Sequence, residues 1–249
     1  MIFQLFKLLT AFSVCITAAN AADVTVAVAA NFTAPMQKIA AMFEKDTGHK
    51  ALLSFGSTGA FYAQIKNGGP FQLLLSADDE TPLKLEKEGY ALSGTRFTYA
   101  TGRLVLWSKQ VGFIDEKAEV LRSGKFQRIA IANPKLAPYG AAAIETINKL
   151  GLMHALQAKF VQGENIAQTF QFVGTENAQL GFLALSQVYA DGKLTHGSGW
   201  IVPNNLHNPI QQDAVVLKAG LNNPAANALL AFLKSDKVKA IIASYGYDL

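Results

Sequence analysis

The chain has 249 residues, half of them apolar, a single cysteine and a formal net charge of +4 that is not gathered into any run. Such a chain carries ample core for one large domain or for two of about 100–120 residues. Lacking a basic run or aromatic–basic interleaving, it is excluded from the usual nucleic-acid binders.

The first residues read as an export signal. Lys7 lies in MIFQLFKLL, an apolar stretch from Leu8 to Ala18 follows, and Ala19-Asn20-Ala21 offers small residues at the positions that define cleavage. Cleavage is expected after Ala21, so that 1–21 is a signal peptide and the mature chain starts at Ala22. The apolar stretch falls short of the ~20 residues of a membrane span. Cys15 follows Val14 rather than a small residue, which argues against a lipoprotein, and it leaves with the signal. The mature chain then has no thiol, no disulfide and no cysteine metal ligand.

Val24–Val28 is an apolar, β-rich run that narrows to Ala29-Ala30 and reaches Asn31, a preferred helix N-cap. Met36, Ile39, Ala40 and Phe43 then fall on one helical face, with Gly48 as the stop. The pattern repeats: strand Lys50–Phe55, the turn Gly56-Ser57-Thr58-Gly59 and helix Ala60–Asn67; then strand Phe71–Leu75, Ser76-Ala77-Asp78-Asp79 and a helix opened by Thr81-Pro82. Short buried strands alternating with helices predict a mostly parallel sheet. Phe97–Trp107 reads as one long strand interrupted at Gly102, long enough to leave one domain for another. Strand Ile129–Ala132, a helix opened by Pro138-Tyr139-Gly140, strand Phe160–Gln162 and a helix opened at Asn165-Ile166 follow. Strands Leu180–Leu185 and Trp200–Val202, the returning strand Gln212–Leu217, and helices from Asn223-Pro224 and Asp236 complete the chain. Two lobes are expected, 22–102 plus 212–249 and 103–211.

Four strand-to-helix junctions carry small or hydroxylic residues: Ala30-Asn31, Ser57-Thr58, Tyr139-Gly140 and Asn165-Ile166. Each helix start carries roughly +0.5 of an elementary charge, so four facing one cleft offset about two negative charges. No lysine or arginine lies within these junctions. Such a site suits a small dianion held by N–H and hydroxyl donors. Plainer readings stand beside it: Asn31 as a simple cap, Tyr139 as packing at a helix start, and Asp78-Asp79-Glu80 as complements to a helix dipole. His49, His154, His196 and His207 lack metal-ligand spacing and are expected at the surface. Ser57 has no GxSxG context for a hydrolase.

Several segments in order resemble the periplasmic molybdate-binding proteins (ModA type) of ABC importers: VAANFTAPMQKIAAMFEKDTGHK, SFGSTGAFYAQIKNGGPFQLLLSADDETPLKLEKEGYAL, RFTYATGRLVLWS, IANPKLAPYGAAA and LGFLAL. The resemblance spans essentially the whole mature chain. It implies an α/β, two-lobed periplasmic-binding-protein fold (type II) with the ligand in the interlobe cleft, and a monomer in the periplasm. The implied function is to capture molybdate, or tungstate, and deliver it to membrane permease subunits, with no enzymatic activity, no cofactor and no nucleic-acid partner. The implied contacts are Asn31 with the backbone of Ala30, Thr58 with Ser57 beside it, the N–H of Ala77, the phenol of Tyr139 and the N–H of Ile166. The oxyanion touches protein through its oxygens, so no side chain coordinates metal. Some members place a tyrosine where this chain has Ala184, and Tyr139 is expected to fill that space. Thr58 stands where serine is common. A sulfate- or phosphate-binding transport protein and a secreted enzyme using the same cleft remain the alternatives.

Overall fold

The computed structural model describes residues 21–249. The expected signal peptide, with Cys15, lies outside the described residues up to Asn20. In chain order the first elements are β1 (Asp23–Ala29), α1 (Thr33–Thr47), β2 (Lys50–Gly56), α2 (Thr58–Lys66), β3 (Leu73–Leu75), α3 (Glu80–Lys87), β4 (Phe97–Gly102) and β5 (Leu104–Ser108). Next come α4 (Glu119–Ser123), β6 (Ile129–Ala132), α5 (Pro138–Lys149), α6 (Met153–Leu156), β7 (Phe160–Gly163), α7 (Ile166–Gly174) and β8 (Leu180–Ala184). A small hairpin, β9 (Tyr189–Ala190) and β10 (Lys193–Leu194), precedes β11 (Ser198–Ile201), β12 (Ile210–Val216), α8 (Pro224–Leu233) and α9 (Asp236–Ser244).

β1 alternates valine with smaller residues. Val24, Val26 and Val28 turn to one side and Ala27 to the other, and all four are fully buried. A strand covered on both faces belongs inside a sheet. The order is β2-β1-β3-β12-β4, with β1 parallel to β2 and β3. On the valine side α1, α8 and α9 bring Met36, Ile39, Phe43, Leu229, Leu233, Val238 and Ile242; on the other side α2 and α3 bring Phe61, Ile65 and Leu85. Phe43 has no exposed surface, so Phe43→Ala would cost about 3–5 kcal/mol. The second sheet has the order β11-β5-β8-β6-β7. Helix α5 packs with Leu104, Leu106, Ile129 and Ile131 on one face, and α7 covers Val105, Trp107 and Leu183 on the other.

Both sheets are mixed, which corrects the mostly parallel expectation. β12 runs antiparallel to β3 and β4, and β5 runs antiparallel to β8 and β11. The chain leaves the first sheet along β4, builds the second sheet and its helices, and returns along β12 in the opposite direction. The run Phe97–Trp107 breaks after Gly102, and its halves, β4 and β5, lie in different sheets. The fold is therefore the two-lobed α/β arrangement that the resemblance implies, with β4 and β12 at the crossing.

Asn31 is not the N-cap of α1. Ala30–Phe32 form a single 3-10 turn, Phe32 precedes α1, and neither helical segment has a side-chain cap. The amide has better partners deeper in the molecule. Thr81 does not cap α3 either, because that helix already starts at Glu80. His207 is 5% exposed and corrects the expectation of surface histidines; its Nδ1 lies 2.7 Å from the carbonyl oxygen of Asn208.

Candidate oxyanion site

The carboxyl ends of β1, β2, β3, β6 and β7 point toward the space between the lobes, where open α/β sheets bind ligands. A small cavity lies there, and its eleven lining residues include no charged side chain. The first residues of four helical segments reach it: Ala30 of the 3-10 turn that runs into α1, Thr58 of α2, Pro138 and Tyr139 of α5, and Ile166 of α7. The opening N–H groups of a helix have no intrahelical acceptor. Local sequence keeps them free. Asn165 Oδ1 accepts from the N–H groups of Ala167 and Gln168, both at 3.0 Å, which leaves that of Ile166 unused. Pro138 at the start of α5 has no N–H, so Tyr139 supplies the first one there. Ser57 precedes α2 without a side-chain cap bond although it is 6% exposed.

Thr58 is oriented by its neighbours. Its Oγ1 accepts from the N–H of Ala77 at 3.0 Å, and Ser76 Oγ lies at 3.4 Å. The Ala77 N–H engages one lone pair from behind and the single Ser76 proton serves Asp78 Oδ1, so Thr58 keeps its own hydroxyl proton to donate into the cavity. The same bond corrects one expectation: Ala77 lines the cavity, but its N–H is spent on Thr58 and is not a free donor.

The Tyr139 phenol also departs from expectation. Its Oη accepts from Gln212 Nε2 at 3.0 Å, beside Gly102 at the crossing. A Cβ on Gly102 would collide with both of these atoms, so this glycine is required by close approach. Tyr139 therefore presents a backbone N–H at the cavity, and its ring runs past it toward the crossing strands. Ala184 is fully buried in β8, paired with Leu104.

Beneath the cavity lies a polar cluster that sequence reasoning missed. Asn31 Nδ2 donates to Gln212 Oε1 at 2.8 Å and to Tyr247 Oη at 3.0 Å. Tyr247 Oη lies 2.9 Å from the carbonyl oxygen of Asn31, and Ser186 Oγ, from the other lobe, donates to that oxygen at 2.8 Å. Tyr99 Oη sits between the Ser76 carbonyl at 2.9 Å and Gln212 Oε1 at 3.0 Å. Burial pushes the phenols of Tyr99, Tyr139 and Tyr247 above their ordinary range, so each keeps its proton. Nothing local in the sequence marks Gln212, Ser186 or Tyr247, which lie 181, 155 and 216 positions from Asn31.

The lobes also meet beside the cavity. The N–H of Gly59 donates to the carbonyl of Leu136 at 2.9 Å, and a Cβ on Gly59 would come 3.0 Å from the Leu136 Cα. A wider cleft next to it carries Asp78, Asp79, Glu80, Lys135 and Glu145. Asp78 turns its carboxylate away from the small cavity. Oδ1 accepts from the N–H of Thr81 at 2.9 Å and from Ser76 Oγ at 3.0 Å, and Oδ2 from Thr81 Oγ1 at 3.2 Å. Burial nevertheless holds this carboxyl above its ordinary range. Among the described residues, no cluster of three or more His, Cys, Asp or Glu side chains could hold a metal ion, and no helix is long and apolar enough to cross a membrane.

Residues 24–248 match the family model described as bacterial extracellular solute-binding protein. The chain is 60% identical over 232 residues to the molybdate-binding protein ModA of Azotobacter vinelandii, covering 93% of this chain and 92% of that one. It is 50% identical over 229 residues to the ModA protein of Rhodobacter capsulatus, covering 92% and 89%. Its fold superposes on a solved periplasmic molybdate-binding protein of Azotobacter vinelandii with a TM-score of 0.87 and 40% identity, covering 91% of this chain and 99% of that one.

Proposed function

The chain belongs to the bacterial extracellular solute-binding proteins, among those of ModA type, and from that premise we propose that its interlobe cavity captures molybdate, and tungstate equally, for delivery to the permease subunits of an ABC importer. The observation that carries this reading is the convergence of four helix starts on a small cavity without a charged side chain. Their combined partial charge, about +2, matches a dianion. The donors are the N–H groups of Ala30, Asn31, Thr58, Tyr139 and Ile166 and the hydroxyls of Ser57 and Thr58, with Ala77 acting through Thr58.

Selectivity follows from those donors. Near neutral pH phosphate still carries a proton, and leaving it without an acceptor in a buried site costs about 1–3 kcal/mol. Asp78, whose carboxylate is already engaged by Thr81 and Ser76, does not serve. Sulfate has no proton, so only its shorter bonds to oxygen discriminate: donors set for the larger ion leave sulfate's contacts stretched. Molybdate and tungstate match in size and charge and bind alike.

An anion gripped by both lobes favours the closed arrangement over the open one, and the closed form is what a permease reads. In this account lobe 1 comprises 22–102 plus 212–249 and lobe 2 comprises 103–211, a division supported by the assignment of β4 and β5 to different sheets. The protein works as an exported, non-catalytic monomer in the periplasm. Calorimetric titration with molybdate, tungstate, sulfate and phosphate at one pH tests the reading. Tight binding of the first two, weaker sulfate and weakest phosphate are expected. Sulfate displacing molybdate at comparable concentration would overturn it.

A further inference from the structure

The polar cluster beneath the cavity joins both lobes to a crossing strand, and its protons can be counted. An amide's oxygen and nitrogen are nearly the same size, so one set of heavy-atom positions accepts either orientation, and the supply of protons decides between them. In the first arrangement Asn31 Nδ2 spends both hydrogens on Gln212 Oε1 and Tyr247 Oη, and Gln212 Nε2 donates to Tyr139 Oη. Among the described residues Asn31 Oδ1 has no hydrogen-bond partner, and the atom is not sealed off. The open space that Asn31 lines is the cavity, so an acceptor faces the anion. Tyr99 then has one proton for two acceptors, Ser76 O at 2.9 Å and Gln212 Oε1 at 3.0 Å.

Turning both amides together redistributes the protons. Gln212 Nε2 now has one hydrogen for Asn31 Oδ1 and one for Tyr99 Oη. Tyr99 donates to Ser76 O without competition, and Tyr139 donates to Gln212 Oε1. Asn31 Nδ2 is left facing the cavity. The shortage moves to Tyr247, whose one proton then faces Asn31 Oδ1, the Asn31 carbonyl at 2.9 Å, Ser186 Oγ at 3.0 Å and Tyr139, while Ser186 Oγ still donates to that carbonyl at 2.8 Å. The turned arrangement is the poorer one until an anion is present. Turning a single amide would set oxygen against oxygen, or N–H against N–H, across the 2.8 Å contact. The two amides therefore turn as a pair. An oxyanion in the cavity selects the second arrangement, because a hydrogen bond from Nδ2 to an anion is charge-assisted and Oδ1 facing it is repulsive.

On the basis of the anion-binding reading, we propose that Gln212, fully buried on β12, is a positioning residue for anion selectivity: by holding Asn31 Oδ1 it keeps Nδ2 aimed at the bound ion, which favours an oxyanion without protons over hydrogen phosphate. Gly102 gives the Gln212 amide its room, since a Cβ there would strike Nε2.

The test is titration of wild type, Gln212→Glu and Gln212→Met with molybdate and with inorganic phosphate at several pH values up to about 9.5, so that a carboxyl raised by burial is ionised as well. The introduced carboxylate only accepts, so it takes Asn31 Nδ2 and turns Oδ1 to the cavity. Gln212→Glu should weaken molybdate at least about 100-fold and lower the molybdate-to-phosphate ratio at least about tenfold. Its added negative charge acts on two dianions alike and cancels in that ratio. Gln212→Met releases Asn31, which can then present Oδ1 to hydrogen phosphate; the molybdate-to-phosphate ratio should fall, by less than in Gln212→Glu. An unchanged ratio in Gln212→Glu overturns the assignment. Wild type that binds no molybdate overturns the anion-binding reading, and this one with it. Should Gln212→Glu fail to fold, nuclear Overhauser contacts in labelled wild type saturated with molybdate decide. Gln212 amide protons near the Tyr99 ring are expected, and amide protons confined to the Tyr139 ring refute the proposal.

Discussion

Replacing Thr58 by valine keeps the shape of the side chain and removes one hydroxyl. Two separable losses result. The hydroxyl is a donor to the bound anion, and a hydrogen bond to a charged group is worth about 1.5–3 kcal/mol, so the dissociation constant for molybdate should rise about 10- to 150-fold. The oxygen is also the acceptor for the N–H of Ala77, which is 3% exposed. Orphaning that N–H costs about 1–3 kcal/mol in the free and bound protein alike. It therefore lowers thermal stability, by about 2–4 °C per kcal/mol for a chain of this size, without entering the binding constant. Isothermal titration reads the first loss and differential scanning calorimetry of the free protein reads the second. Thr58→Ser keeps the hydroxyl and should restore both, apart from the small cost of a missing methyl. A valine variant that is destabilised yet binds molybdate with an unchanged constant would show that Thr58 only holds Ala77, and the account of the site would fail at that residue.

Three further perturbations separate the remaining claims. Tyr139→Phe keeps the backbone N–H at the cavity, so titration should show molybdate affinity falling by less than about tenfold while the melt drops by about 1 kcal/mol for the lost Gln212 bond; a loss as large as that of Thr58→Val would return the phenol to the ligand. Gly59→Val places side-chain atoms against Leu136, which is 3.0 Å from a Cβ at that position. It should weaken binding, and small-angle scattering with saturating molybdate should show a larger radius than wild type, whereas equal radii would mean that closure does not use this contact. Asp78 has its carboxyl held above the ordinary range by burial, so the folded protein binds that proton more tightly than the unfolded chain. The contribution to stability is greatest in acid and falls as pH rises through the carboxylate range. Asp78→Asn should therefore melt near wild type in acid and above it at neutral pH; parallel curves would refute the assignment.

The strand-to-helix junctions were legible because they are local. A run of valines, a small-residue turn, and a proline or asparagine ahead of a helical stripe each act within a few residues. Ala30, Ser57, Thr58, Tyr139 and Ile166 all line the one cavity. Asn31 shows where such reasoning stops. Its N-cap preference is a competition between a local N–H and any better partner, and here Gln212 and Tyr247 won. Sheet direction failed for a related reason: alternation of strands and helices says nothing about a strand that returns from another lobe.

From its sequence alone this protein has its elements, its two-lobed class and the set of helix starts that can face an anion, because secondary structure and capping are short-range properties of the chain. Only the tertiary structure decides what each group is left to do. It engages the N–H of Ala77 with Thr58, turns the phenol of Tyr139 to the crossing strands, binds the carboxylate of Asp78 to Thr81, and sets Gln212 behind Asn31. Each hydrogen has one best partner, and in a buried site that partner is chosen by residues far apart in the chain and close together in space.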